Sequence, residues 1–136
     1  MIVPNLAVSD VARSVAFYRD VVGLKLMGAV TADRQMVEHE AGTVFAVMVD
    51  GEFQLMLQQR ASLAEDADNQ AGVTGAPFGG TVYFRDLDPD AVLARADAAS
   101  VIKGPEQQWY GMREVMLRDP DGHVVCIGKR EGPAPE

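Results

Sequence analysis

Only one cysteine, Cys126, occurs among the 136 residues. No disulfide can form within the chain, and a multi-cysteine zinc site is excluded. Histidine is almost as scarce, with His39 and His123 alone. Nowhere does the chain carry a run of about 18 apolar residues, the length that crosses a bilayer as a helix. The N-terminus, MIVPNLAVSD, lacks a basic flank followed by an apolar stretch and a small-residue cleavage site. A secretory signal is therefore not expected, and the cytoplasm is the expected compartment. Positive charge is in short supply too: twelve basic residues face twenty acidic ones, a formal net charge of −8. Such a field repels phosphate backbones and anionic membranes, so neither nucleic acid nor a membrane is an expected partner. It would attract a cationic small molecule, although acidity also serves plain solubility.

What is present reads as one globular domain. Hydrophobic residues make up 48% and charged residues 24%, and the length suffices to bury a core without covalent staples. Residues 2–8 alternate as a strand, with Pro4, Leu6 and Val8 on one face and Val3, Asn5 and Ala7 on the other. Ser9 or Asp10 then caps a helix whose apolar face carries Val11, Val15, Tyr18 and Val22, and Gly23 stops it. Three strand-like runs follow at 35–40, 44–49 and 53–58, with turns at Ala41-Gly42 and Asp50-Gly51. Residues 60–80 change character, polar first and then rich in Gly and Ala, and read as a linker.

After that segment the pattern returns. Residues 81–85 alternate as a strand, and Asp88 caps a helix with Pro89 in its first position and Val92, Leu93, Ala96 and Ala99 on its buried face. Strands are expected around 101–103, 113–117 and 123–127, and Asp119-Pro120-Asp121-Gly122 fits a tight turn. The chain thus holds two βαβββ modules, 1–59 and 81–128, an internal repeat neither half of which could bury its sheet alone. Together they make one α+β domain over 1–128, and 129–136 read as a frayed tail.

Three segments in this order, VSDVARSVAFYRDVVGL, GGTVYFRDLDPDAVLARADAA and YGMREVMLRDPDGHVV, resemble the vicinal-oxygen-chelate superfamily. That group contains glyoxalase I, extradiol dioxygenases, fosfomycin-resistance enzymes and bleomycin-resistance binding proteins. The resemblance spans residues 2–128 and implies two modules paired into curled mixed sheets around a cavity. It also implies a divalent metal held by a His or Gln and a Glu from each module. The positions that match are Val3, seven residues before Asp10; Met56 in the fourth strand; Thr81, with Gly80 or Val82 if the register slips; and Cys126, seven residues after Asp119. Valine has no lone pair, threonine is a poor ligand, and a thiol with a thioether suits softer metals than the family's. No metal and no cofactor is therefore expected.

The expected function is metal-independent binding of a small organic ligand, cationic or aromatic, as in sequestration of an antibiotic by the bleomycin-resistance branch. The alternatives are a lyase- or dioxygenase-like enzyme with a non-standard metal site or with acid–base groups such as Tyr83, His39 or Glu114, and a partner-binding module with a flat apolar surface. Strand alternation places Asn5, Gln54, Met56, Gln58, Thr81, Tyr83 and Cys126 on the face that would line a cavity; solvent exposure is the competing fate of the polar ones. Trp109 and Tyr110, in a loop beside Gly111, could stack on a planar ligand or plug the core. Arg113 could hold a carboxylate or carbonyl of the ligand, or pair with Glu114 or an acidic residue of the 60–80 segment. The Gly-rich segment also permits exchange of modules between two chains, so a homodimer is expected.

Overall fold

The computed structural model describes residues 1–135. They form two compact units, Met1–Ala76 and Pro77 onward. Among the described residues no helix is long and apolar enough to cross a membrane.

The first unit is a five-stranded mixed sheet. Its strands are β1 (Asn5–Val8), β2 (Lys25–Thr31), β3 (Met36–Val37), β4 (Thr43–Asp50) and β5 (Phe53–Gln59), in the spatial order β1-β5-β4-β2-β3. β1 runs parallel to β5, and the other pairs are antiparallel. A parallel pair needs a crossover, and the intervening chain supplies it through helix α1 (Val11–Phe17). Of the two candidates Ser9 and Asp10, Asp10 starts that helix, its carboxylate accepting the Arg13 N–H. The helix ends in a π-helical turn, Tyr18–Val22, closed by Gly23 at φ 97°, a left-handed conformation that costs glycine nothing. α1 packs on β4 and β5, and Val11, Val15, Tyr18 and Val22 are buried with Leu6, Val8, Ala46, Met48, Leu55 and Leu57. Each of these valine, leucine and methionine side chains contributes roughly 1.5–3 kcal/mol by leaving water.

Three expectations for this unit need correction. β2 is a full strand where none was expected. Its sequence, KLMGAVT, is interrupted by Gly28 and buries only Ala29 completely, so it carries weak alternation, and its pairing with β4 decides its conformation. The run at 35–40 shrinks to the two residues of β3. The supposed linker also begins with a helix, α2 (Arg60–Asp66). Gln59 caps it by accepting the Ser62 N–H at 3.0 Å, and Arg, Ala, Leu and Glu favour it.

The second unit follows the expected βαβββ order. β6 (Thr81–Arg85), β7 (Val101–Gln107), β8 (Met112–Arg118) and β9 (Val124–Arg130) form a mixed sheet in the order β6-β9-β8-β7. Helix α3 (Pro89–Arg95) is capped by Asp88, which accepts the N–H groups of Asp90 and Ala91, with Pro89 in the first turn. Val92 is buried, but α3 stops at Arg95 and Ala99 is exposed in a 3₁₀ turn, Ala98–Ser100. The expected tight turn is present: the Gly122 N–H bonds to the Asp119 carbonyl, and the Asp119 carboxylate accepts from Asp121 and His123. His123 is buried and its Nδ1 accepts the Phe78 N–H at 2.7 Å, so it serves the fold. The tail assignment is corrected at its start. Lys129 and Arg130 extend β9 opposite Arg113 and Met112, and Glu131 and Gly132 donate to the Gly111 carbonyl. Glu136, at the end of that stretch, lies outside the described residues.

Candidate functional site

Because β-strand side chains alternate, each sheet has a helix face and an open face. In the first unit Leu55 and Leu57 face α1, so Gln54, Met56 and Gln58 share the other side. Cross-strand register aligns Asn5 with Met56 and Val47, and Ala7 with Gln58 and Phe45. On that open face a hydrogen-bonded chain forms. Asn5 Nδ2 donates to Gln58 Oε1 at 2.9 Å, and Gln58 Nε2 donates to Ser62 Oγ at 2.9 Å and Asp66 Oδ2 at 2.8 Å. Gln58, 4% exposed, is thereby fixed in one amide orientation, since its oxygen meets a donor and its NH₂ meets two acceptors.

Beside this chain lies a cavity of about 320 Å³. Val30, Val44 and Phe45 give it apolar surface, Gln58 and Ser62 give it polar atoms, and Glu65, Asp66 and Arg34 bring charge. Its volume stands at the lower end of the range that holds organic ligands, and its wall mixes apolar side chains with a larger share of polar and charged ones. Of the sequence-expected residues, only Gln58 lines it, with Asn5 acting behind it. Gln54 and Met56 lie on the same face farther along β5. Phe45, Ser62, Asp66, Glu65 and Arg34 were not expected. The alternation of β4 could have found Phe45, whereas the α2 residues were hidden by the assignment of 60–80 to a linker.

The open face of the second unit is built differently. In the row that corresponds to Ala7, Gln58 and Phe45 stand Arg85, Gly128 and Glu114. Glu114, 5% exposed, accepts hydroxyl protons from Tyr83 through Oε2 and from Tyr110 through Oε1, each at 2.5 Å. Burial and the Glu114 hydrogen bond push the Tyr83 phenol well above its ordinary value. The Glu114 bond, with some burial, pushes Tyr110 up to about 12. Cys126 lies opposite Tyr83 in the register, and burial with the nearby Glu114 charge pushes its thiol up to about 12. Arg85 stands over the Tyr83 ring, 5.9 Å from its centre.

The remaining candidates fall elsewhere. Trp109 is 83% exposed in the loop before β8 and meets Tyr110 edge-on, with ring centres 5.3 Å apart. Thr81 is exposed at the start of β6. Arg113 shares the side of Val115 and Leu117, the helix face, and grips Asp90 of α3 with two bonds of 2.7 and 2.8 Å. The pair holds the Asp90 carboxyl below its usual range. The partner is Asp90, neither Glu114 nor an acidic residue of the 60–80 segment.

The sequence profile of the Glyoxalase/Bleomycin resistance protein/Dioxygenase superfamily matches residues 2–127. The chain belongs to that superfamily. Solved structures of the Glyoxalase/Bleomycin resistance protein/Dioxygenase superfamily and of related proteins share its fold. A protein of unknown function from Agrobacterium tumefaciens is 26% identical, with 96% of this chain and 94% of that chain covered and a TM-score of 0.72. A lactoylglutathione lyase from the same organism is 25% identical, with 95% and 92% covered and a TM-score of 0.64. A glyoxalase/bleomycin resistance protein/dioxygenase family enzyme from Burkholderia phytofirmans is 19% identical, with 95% and 97% covered and a TM-score of 0.72; it bears on the fold alone. No curated protein matches the chain significantly.

The residues of this superfamily member do not fit the divalent ion that the resemblance implies. Val3 precedes β1, Thr81 offers one exposed hydroxyl, Met56 offers a thioether, and Cys126 is buried with its thiol held protonated. Among the described residues no three His, Cys, Asp or Glu side chains gather as a metal cluster would require.

Proposed function

We propose that the protein binds a small organic ligand without a metal, the sequestering role of the superfamily's non-catalytic members. The cavity of the first unit carries this reading: Val30, Val44 and Phe45 line it beside a Gln58 amide already fixed by Asn5, Ser62 and Asp66. Groups held in place before binding lose less freedom when a ligand arrives. A fragment screen on isotope-labelled protein by NMR, with elemental analysis of the same sample, tests it. The expected result is ligand-induced shifts at Phe45, Ser62 and Asp66 with no stoichiometric divalent ion. Shifts confined to other surfaces, or a tightly held metal, would overturn it. The reading includes the homodimer expected from the sequence, to be measured by sedimentation.

A second reading draws on Glu114 beneath Tyr83 and Tyr110, a buried carboxylate with two phenol donors, which is an acid–base grouping in need of no metal. It expects proton exchange into small carbon acids in deuterium oxide that is lost in Glu114→Gln. Exchange no faster than in buffer would remove this reading and leave the first untouched.

A further inference from the structure

Opposite charges line one cavity in the first unit without meeting. Arg34 lies on the β2–β3 turn, and Glu65 and Asp66 lie at the end of α2. Among the described residues no ion pair joins Arg34 to either carboxylate, and neither Arg34 nor Glu65 has a side-chain partner. Asp66 is different, because Gln58 Nε2 holds its Oδ2 at 2.8 Å and thereby fixes where the other oxygen can point. Apolar surface that includes Phe45 lines the same cavity.

We infer that the cavity takes a zwitterion, an α-aminocarboxylate with an aromatic or aliphatic side chain, its ammonium at Asp66 and Glu65 and its carboxylate at Arg34. The inference rests on the cavity being the binding site and names what fills it. The two unpaired poles argue for both charges on one ligand. A purely cationic ligand would leave Arg34 unanswered, and would feel its repulsion. A guanidinium meets a carboxylate with two parallel N–H donors, and an ammonium carries three donors for the α2 carboxylates and Ser62. The side chain of the ligand then covers Phe45, where burial adds affinity and ring contact adds geometry. The cavity volume of about 320 Å³ accommodates a molecule the size of phenylalanine rather than a large antibiotic.

Three probes that share a phenyl group separate the charges: phenylalanine carries both, phenethylamine the cation alone and hydrocinnamate the anion alone. Titrations followed by NMR shifts at Phe45 and Ser62 should show phenylalanine binding at least about tenfold more tightly than either of the others, the factor that 1.4 kcal/mol gives. Asp66→Asn should remove its advantage over hydrocinnamate, and Arg34→Asn its advantage over phenethylamine; asparagine tolerates the left-handed backbone at 34, where φ is 65°. The wild-type comparison stands even if a variant folds poorly. Equal binding of phenethylamine and phenylalanine overturns the inference and leaves the cavity as a ligand site. Failure of all three probes while other fragments shift cavity residues overturns the inference alone. Failure of every fragment overturns both it and the proposed function.

Discussion

Tyr83 lies across Gly128. A Cβ built on that glycine would come within 2.7 Å of the phenol Cζ and closer still to the hydroxyl oxygen, so the ring can reach Glu114 on the next strand only because residue 128 has no side chain. Gly128→Ala should therefore displace Tyr83 and leave buried Glu114 with one donor fewer, destabilising the fold by about 1–3 kcal/mol. Denaturant unfolding measures it. In a Tyr83→Ala background the same glycine substitution should cost much less. Equal costs in the two backgrounds would show that the crowding is not with Tyr83.

Alkaline pH should weaken the fold through the same cluster. Tyr110 is held up to about 12 from an ordinary value of 10.0, and Cys126 up to about 12 from 9.0. Both groups hold their protons more tightly when folded, so unfolding releases protons at high pH. Stability from these groups is complete below pH 9, begins to fall as the unfolded thiol and then the unfolded phenol titrate, and is gone above about 12. Glu114→Gln should bring the Tyr110 phenol back toward 10.0, read by phenolate absorbance. An unchanged titration curve would mean that Glu114 is not its main perturbant.

Cys126 is buried and its thiol is held protonated, so it should resist thiol reagents at pH 8 in the folded chain and react on unfolding. Rapid labelling of the native protein would contradict the burial described for it.

Gln58 joins β1, β5 and α2 through three hydrogen bonds. Gln58→Leu should cost about 1–3 kcal/mol, because Asn5 loses its acceptor and the tie to α2 is lost. Amide hydrogen exchange across residues 60–66 should quicken. An α2 as protected as in the parent would mean that other contacts hold it.

Arg113 and Asp90 are paired on the helix face of the second unit, away from Glu114. Arg113→Gln should leave ligand binding unchanged and raise the Asp90 carboxyl back toward the usual range, visible in an NMR titration. A loss of binding would return Arg113 to the site.

Local signals were legible wherever one residue type performs a local task. The Asp10 and Asp88 caps, Pro89 in a first turn, Gly23 as a stop and the Asp119–Gly122 turn all depend on backbone groups a few residues away. The strands of the second unit were legible because Val115, Leu117, Val125 and Ile127 alternate with their neighbours. β2 was not, since a strand with one fully buried residue is specified by its partner β4 rather than by its own pattern. Arg113 shares the parity of Val115 and Leu117, but only its bonds to Asp90 showed that it stands under α3.

The sequence by itself carried the likeness to the superfamily through three ordered segments, and with that likeness the α+β class and the donor chemistry at Val3, Met56, Thr81 and Cys126, because these are properties of residue identity along the chain. Only the tertiary structure decided that Gln58 meets Asn5, Ser62 and Asp66, and that Tyr83 and Tyr110 converge on Glu114. Asn5 and Gln58 are 53 residues apart, and so long a separation is closed by strand register, which no local pattern encodes.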